Sequence, residues 1–98
     1  MSDLDGAESV IWTALGRFGR VDVLVNNAGM SPLYPDLEHV SEELFDKVVG
    51  VNLKGPFRLC AAGGARMARG DGGSIINVSS VAAMRPTPRE LPYGAAKA

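Results

Sequence analysis

Tyr93 and Lys97 stand four residues apart in the run Pro92-Tyr93-Gly94-Ala95-Ala96-Lys97-Ala98, and Ser80 lies thirteen residues before the tyrosine. Positions i and i+4 share one face of a helix, so this spacing can bring an ammonium close to a phenol. A cation there favours phenolate over phenol. At a separation of ~5 Å and an effective dielectric of ~20 the attraction is about 3 kcal/mol. A tyrosine placed in this way can both give and take a proton. A serine hydroxyl arriving from a neighbouring element could hydrogen-bond the same substrate oxygen. A Tyr-x-x-x-Lys pair alone is common on surface helices, so its meaning depends on the elements that position it.

The chain has 98 residues, less than one ordinary domain. Its net charge is −1, with acidic and basic residues interspersed, which argues against a nucleic-acid-binding surface. No apolar run approaches membrane-spanning length, and the acidic start Met1-Ser2-Asp3-Leu4-Asp5 is unlike a signal or transit peptide. A single cysteine, Cys60, cannot form an internal disulfide; small apolar neighbours suggest a buried core thiol. A reducing, cytoplasmic setting fits. One His and one Cys do not supply a metal site.

Asp5-Gly6-Ala7-Glu8 reads as a helix N-cap with its reciprocal acid. Ala7, Val10, Ile11, Ala14, Leu15 and Phe18 follow at helical spacing, and Gly19 stops that helix. Val21–Val25 reads as a buried strand. Asn26-Asn27-Ala28-Gly29 and a loop with Pro32 and Pro35 come next. Ser41, followed by Glu42 and Glu43, opens a second helix that runs to about Arg69, where Gly70-Asp71-Gly72-Gly73 turns the chain. Ser74–Ser79 reads as another buried strand. A loop with Pro86, Pro88 and Pro92 leads into a short last helix. The order is helix, strand, helix, strand, helix start: a βαβ unit with parallel strands and a right-handed crossover. A parallel sheet needs both faces covered and usually more than two strands. The 98 residues therefore read as an excerpt of a larger α/β domain that folds poorly alone.

Ligands of open α/β sheets bind outside the carboxyl ends of the strands. Here those ends are Asn26-Asn27-Ala28-Gly29 and Ser79-Ser80, and Tyr93 begins the element that follows. Ser79 and Ser80 leave the strand on opposite sides, so one of them can face the tyrosine. Asn52 stands out for a backbone reason. Pro56 has no N–H and would crowd the carbonyl four residues earlier, which belongs to Asn52. Gly55 eases a local kink, and the freed carbonyl needs another partner, usually water. His39 reads as a solvated loop residue and Trp12 falls off the apolar stripe. Met30, Met84 and Arg85 are either pocket-lining or ordinary loop residues. Asp22 is a candidate for pairing within the fold.

Four pieces carry a resemblance to the short-chain dehydrogenase/reductase family, in its single-domain branch. They are Asn26-Asn27-Ala28-Gly29 after a strand, Val51-Asn52-Leu53 in the next helix, Ile75-Ile76-Asn77-Val78-Ser79-Ser80, and Tyr93-Gly94-Ala95-Ala96-Lys97. Their order and spacing span essentially the whole chain. The resemblance implies a partial Rossmann-like three-layer α/β fold, with residues 1–98 as the central portion of an NAD- or NADP-binding oxidoreductase domain. It implies Tyr93 as general acid or base and Lys97 as the residue that tunes the tyrosine and holds the nicotinamide ribose. The family's thirteen-residue spacing selects Ser80 to polarise the substrate oxygen and leaves Ser79 as a structural hydrogen-bonder. Asn52 would support a water-mediated proton relay to Lys97. Asn27, Ala28 and Gly29 would lie against the cofactor.

The family's Thr-Gly-x-x-x-Gly-x-Gly turn, which cradles the pyrophosphate, does not occur in these 98 residues, nor does the substrate region that follows the lysine. The expectation is alcohol–carbonyl interconversion on a small-molecule substrate, a full-length homodimer or homotetramer, and no useful activity for the 98 residues alone. Two other readings remain open: a sugar-nucleotide epimerase or dehydratase relative, against which Asn26-Asn27-Ala28-Gly29 argues, and a non-catalytic remnant or interaction module.

Overall fold

A computed structural model describes residues 4–85 and 90–98. Pro86 and Pro88 of the expected loop lie outside the described residues. The elements are α1 (Leu4–Phe18), β1 (Val23–Asn26), α2 (Glu42–Val49), α3 (Gly55–Arg69), β2 (Ser74–Asn77) and α4 (Leu91–Lys97). Short 3-10 turns occupy Leu37–His39 and Val81–Ala83, and a π-helical segment, Gly50–Lys54, joins α2 to α3. The expected order of elements is present, and the structure is a partial α/β fold.

The strands pair in parallel, with Leu24 opposite Ile75 and Asn26 opposite Asn77. Both are shorter than expected: Val21 and Asp22 precede β1, and Val78 and Ser79 follow β2. Asp22 instead pairs with Arg20 at 2.7 Å, while its carbonyl accepts the Ser74 N–H at 2.9 Å.

The core lies between α1, α3 and one face of the sheet. Ala7 and Ile11 of α1 meet Leu59 and Met67 of α3 over Leu24 of β1. Gly63 permits this approach: a Cβ there would sit 3.2 Å from Ile11 and 3.3 Å from Leu24. The expectation of two buried strands is corrected. Val23 and Val25, on the opposite face of β1, are 58% and 53% exposed, and Ile76 beside them is 52% exposed. Alternation along a strand sends successive side chains to opposite faces, and the described helices cover one of them.

Helix ends follow local chemistry. Ser41 caps α2 by accepting the Leu44 N–H at 3.0 Å. Gly19 takes a positive φ of 77° just beyond α1. The expected cap at Asp5 is corrected, because α1 already begins at Leu4 and Asp5 lies within its first turn. Phe18 belonged to the predicted apolar stripe but is exposed, as is Trp12, over which the Arg66 guanidinium lies 5.7 Å from the ring centre. No helix among the described residues is long and apolar enough to cross a membrane.

Candidate active site

The long helix expected from Ser41 to about Arg69 is helical throughout, and its anticipated irregularity takes the form of a π-turn. The Gly55 N–H donates to the Gly50 carbonyl, five residues back. Pro56 follows at once and cannot supply an N–H to the ladder. Asn52 sits inside this segment and is buried. Its side-chain amide grips the loop after β1. Nδ2 donates to the carbonyls of Met30 and Val48, each at 2.8 Å, and Oδ1 accepts the Met30 N–H at 3.2 Å.

Lys97 closes the same loop from the other side. Its ammonium donates to the carbonyls of Val78 at 3.0 Å and Ala28 at 3.3 Å. The residue is only 9% exposed, so those carbonyls replace the water that a buried charge requires. An ammonium has three N–H donors, and two are engaged here. Asn52 and Lys97 converge on Gly29: a Cβ at that position would lie 3.0 Å from Asn52 Oδ1 and 3.3 Å from Lys97 Nζ. Asn27, Ala28 and Gly29 themselves are exposed at the carboxyl end of β1.

Tyr93 lies one turn before Lys97 on α4 and is half-buried. Ser80 leaves β2 and begins the 3-10 turn that packs against α4. Its Oγ accepts the Ala82 N–H at 3.2 Å, which leaves its own O–H to donate elsewhere. Ser79 takes the structural role expected of it, donating from Oγ to the Lys97 carbonyl at 2.7 Å. The candidate site residues Asn27, Ala28, Gly29, Asn52, Ser80, Tyr93 and Lys97 thus belong to two neighbouring strand ends, the π-segment between α2 and α3, and the helix that packs beside them. Met84, just after the 3-10 turn, is exposed, and Met30 contributes its backbone to the Asn52 grip.

Three contributors were not anticipated. Asn26 Nδ2 donates to Asn77 Oδ1 at 2.7 Å, bridging the paired strand ends. Cys60, expected in an apolar core, lies instead beside these two amides, with its Sγ 3.2 Å from Asn26 Nδ2 and 3.6 Å from Asn77 Oδ1. Its neighbours in sequence are apolar, but the strands bring it polar ones. Tyr34 is buried, and its phenol oxygen accepts the Leu91 N–H at 3.2 Å.

The remaining ammonium N–H and the tyrosine hydroxyl could meet hydroxyl groups of a ligand, and the missing side chain at Gly29 is what leaves room for Asn52 and Lys97 to converge there.

Comparison with known proteins follows the same lines. The sequence profile of the family described as short chain dehydrogenase matches residues 1–98. An oxidoreductase of Thermotoga maritima, itself uncharacterised, is 46% identical over 92 residues, covering 94% of this chain and 36% of the relative. An L-rhamnose 1-dehydrogenase (NAD(P)(+)) of Azotobacter vinelandii is 45% identical over 84 residues, covering 85% of this chain and 32% of the relative. Among solved structures, one assigned to the short-chain alcohol dehydrogenases of Sinorhizobium meliloti 1021 superposes with a TM-score of 0.91 at 40% identity, covering 98% of this chain and 38% of that one. ElxO with NADP bound superposes with a TM-score of 0.87 at 30% identity, covering 98% of this chain and 39% of that one. The chain spans roughly a third of the length of these relatives, 36% and 32% of the two sequences.

Proposed function

The chain belongs to the short-chain dehydrogenase family, and on that premise we propose that it forms the central part of an NAD- or NADP-dependent oxidoreductase that interconverts an alcohol and a carbonyl. The observation that carries this reading is the convergence of Lys97, Asn52 and Gly29 at the carboxyl end of β1, one helical turn from Tyr93. The names of its relatives agree: one is an NAD(P)-using sugar dehydrogenase and another was solved with NADP.

In this reading Tyr93 moves the proton at the substrate oxygen. Ser80 donates its free O–H to that oxygen and orients it. The Lys97 ammonium, already fixed by the Ala28 and Val78 carbonyls, holds the ribose hydroxyls with its third N–H. The Asn52 side chain is committed to Met30 and Val48, so water-mediated proton delivery toward Lys97 falls to its main-chain carbonyl. Asn27, Ala28 and Gly29 form the edge against which the cofactor rests. The nicotinamide, when bound, supplies or accepts the hydride at the substrate carbon. The substrate is a small alcohol or carbonyl compound, and the full-length protein is a homodimer or homotetramer. These 98 residues alone have no useful turnover, because the phosphate-cradling turn that supplies much of the cofactor affinity is not among them.

Replacing Tyr93 by Phe in the full-length domain tests the assignment. Turnover should vanish while binding of NADH or NADPH, read by fluorescence, stays nearly unchanged. Substantial remaining turnover would refute the role given to the tyrosine.

A further inference from the structure

The loop after β1 and the helix that carries Tyr93 are fastened to each other at both ends. At one end the Lys97 ammonium donates to the Ala28 carbonyl at 3.3 Å. At the other the Leu91 N–H donates to the Tyr34 phenol oxygen at 3.2 Å. Residue 28 meets residue 97 and residue 34 meets residue 91, so this stretch of loop runs antiparallel to α4. Tyr93 lies between the two fastenings.

The amino end of α4 has need of such a partner. The first N–H groups of a helix have no partner within it. The residue before the helix, Glu90, makes no side-chain capping bond, and its backbone (φ −126°, ψ 9°) is unlike the extended conformation of an ordinary cap. Pro92 has no N–H, and the Gly94 N–H already bonds the Glu90 carbonyl at 2.6 Å. The Leu91 N–H is met from 57 residues away in sequence, by a residue only 7% exposed. Tyr34 suits the task. Its ring has few rotatable bonds, and Pro35 restricts its backbone to extended conformations.

We propose that Tyr34 is a positioning residue for Tyr93, acting as a long-range cap that fixes the first turn of α4 against the cofactor-side loop. The proposal rests on the catalytic reading of Tyr93 given above. Tyr34 reaches the reaction through the helix start, two residues ahead of the catalytic hydroxyl, and through a loop whose opposite end is held by Lys97.

The experiment compares Tyr34→Phe with Tyr93→Phe in the full-length domain. Three quantities are read: the Kd for NADH or NADPH by fluorescence, kcat per coenzyme-binding site on an alcohol or carbonyl that the unmodified domain turns over, and amide hydrogen exchange at Leu91. Loss of the bond from the Leu91 N–H, which holds the helix start, predicts a kcat about three- to tenfold lower for Tyr34→Phe. The coenzyme Kd should move less than about twofold, and the Leu91 amide should exchange faster. A merely structural tyrosine would lower the melting temperature and the number of coenzyme sites, yet leave kcat per site unchanged; that result overturns the proposal. Turnover surviving Tyr93→Phe would instead bring down the catalytic reading, whatever Tyr34→Phe does. If Tyr34→Phe does not fold, the unmodified domain decides. Leu91 protected to the degree of Gly94 supports the cap, and exchange at the rate of an open loop overturns it.

Discussion

At Gly29 the space that a methyl group would take is bounded by Asn52 Oδ1 at 3.0 Å and Lys97 Nζ at 3.3 Å. Neither neighbour is free to retreat. Asn52 is held by three hydrogen bonds and Lys97 by two backbone carbonyls. Gly29→Ala should therefore destabilise the full-length domain by about 1–3 kcal/mol and weaken binding of NADH or NADPH. Denaturant unfolding with a coenzyme titration checks this; unchanged stability and affinity would contradict it. Asn52→Ala should cost about 2 kcal/mol, since it strands the Met30 N–H and carbonyl, and the same melts would reveal it. The residues named from the sequence were legible because their spacing along the chain is itself the signal: Tyr93 and Lys97 on one helix face, Ser80 and Asn27 at strand ends. The grip of Asn52 on Met30 and of Tyr34 on Leu91 had no such local signature. Both join residues from separate parts of the chain, 22 and 57 positions apart.

Two glycines separate what an element tolerates from what a junction tolerates. Gly16 lies within α1 with nothing near its missing side chain. Gly16→Ala should raise stability by about 0.5–1 kcal/mol, because alanine loses less conformational freedom in a helix. Gly73 precedes β2, where a Cβ would fall 2.7 Å from both the Asp22 carbonyl oxygen and Met67 Sδ. The thioether can move, but that carbonyl is bonded to the Ser74 N–H and starts the strand pairing. Gly73→Ala should cost about 2–4 kcal/mol. Urea midpoints for the pair would test both signs, and a neutral Gly73→Ala would mean that the strand start can shift freely. Element order and the parallel pairing could be read from hydrophobic periodicity and glycine punctuation. Strand burial could not. A β-branched run such as Val23-Leu24-Val25 indicates pleated structure but not which layers cover it, and here Leu24 is covered while both valines are bare.

On the scale of the molecule, Val23, Val25 and Ile76 form an apolar face without a covering layer among the described residues. The 98 residues produced alone should bind a hydrophobic dye and self-associate, and Val25→Lys should reduce both. Sedimentation velocity with dye fluorescence measures this. A dye-silent monomer that melts cooperatively would argue for a self-sufficient module. The π-helical segment acts over the same range. It admits one surplus residue between α2, which buries Val48 and packs against α4, and α3, whose Leu59 and Met67 join the core with α1 and β1. Each residue of a regular helix advances the facing direction by about a quarter turn. Deleting one residue from Gly50–Lys54 would thus give a smoother helix and a worse protein, since its two halves would no longer face their separate partners. Local irregularity here is the coordinate that keeps α4 and the sheet in phase.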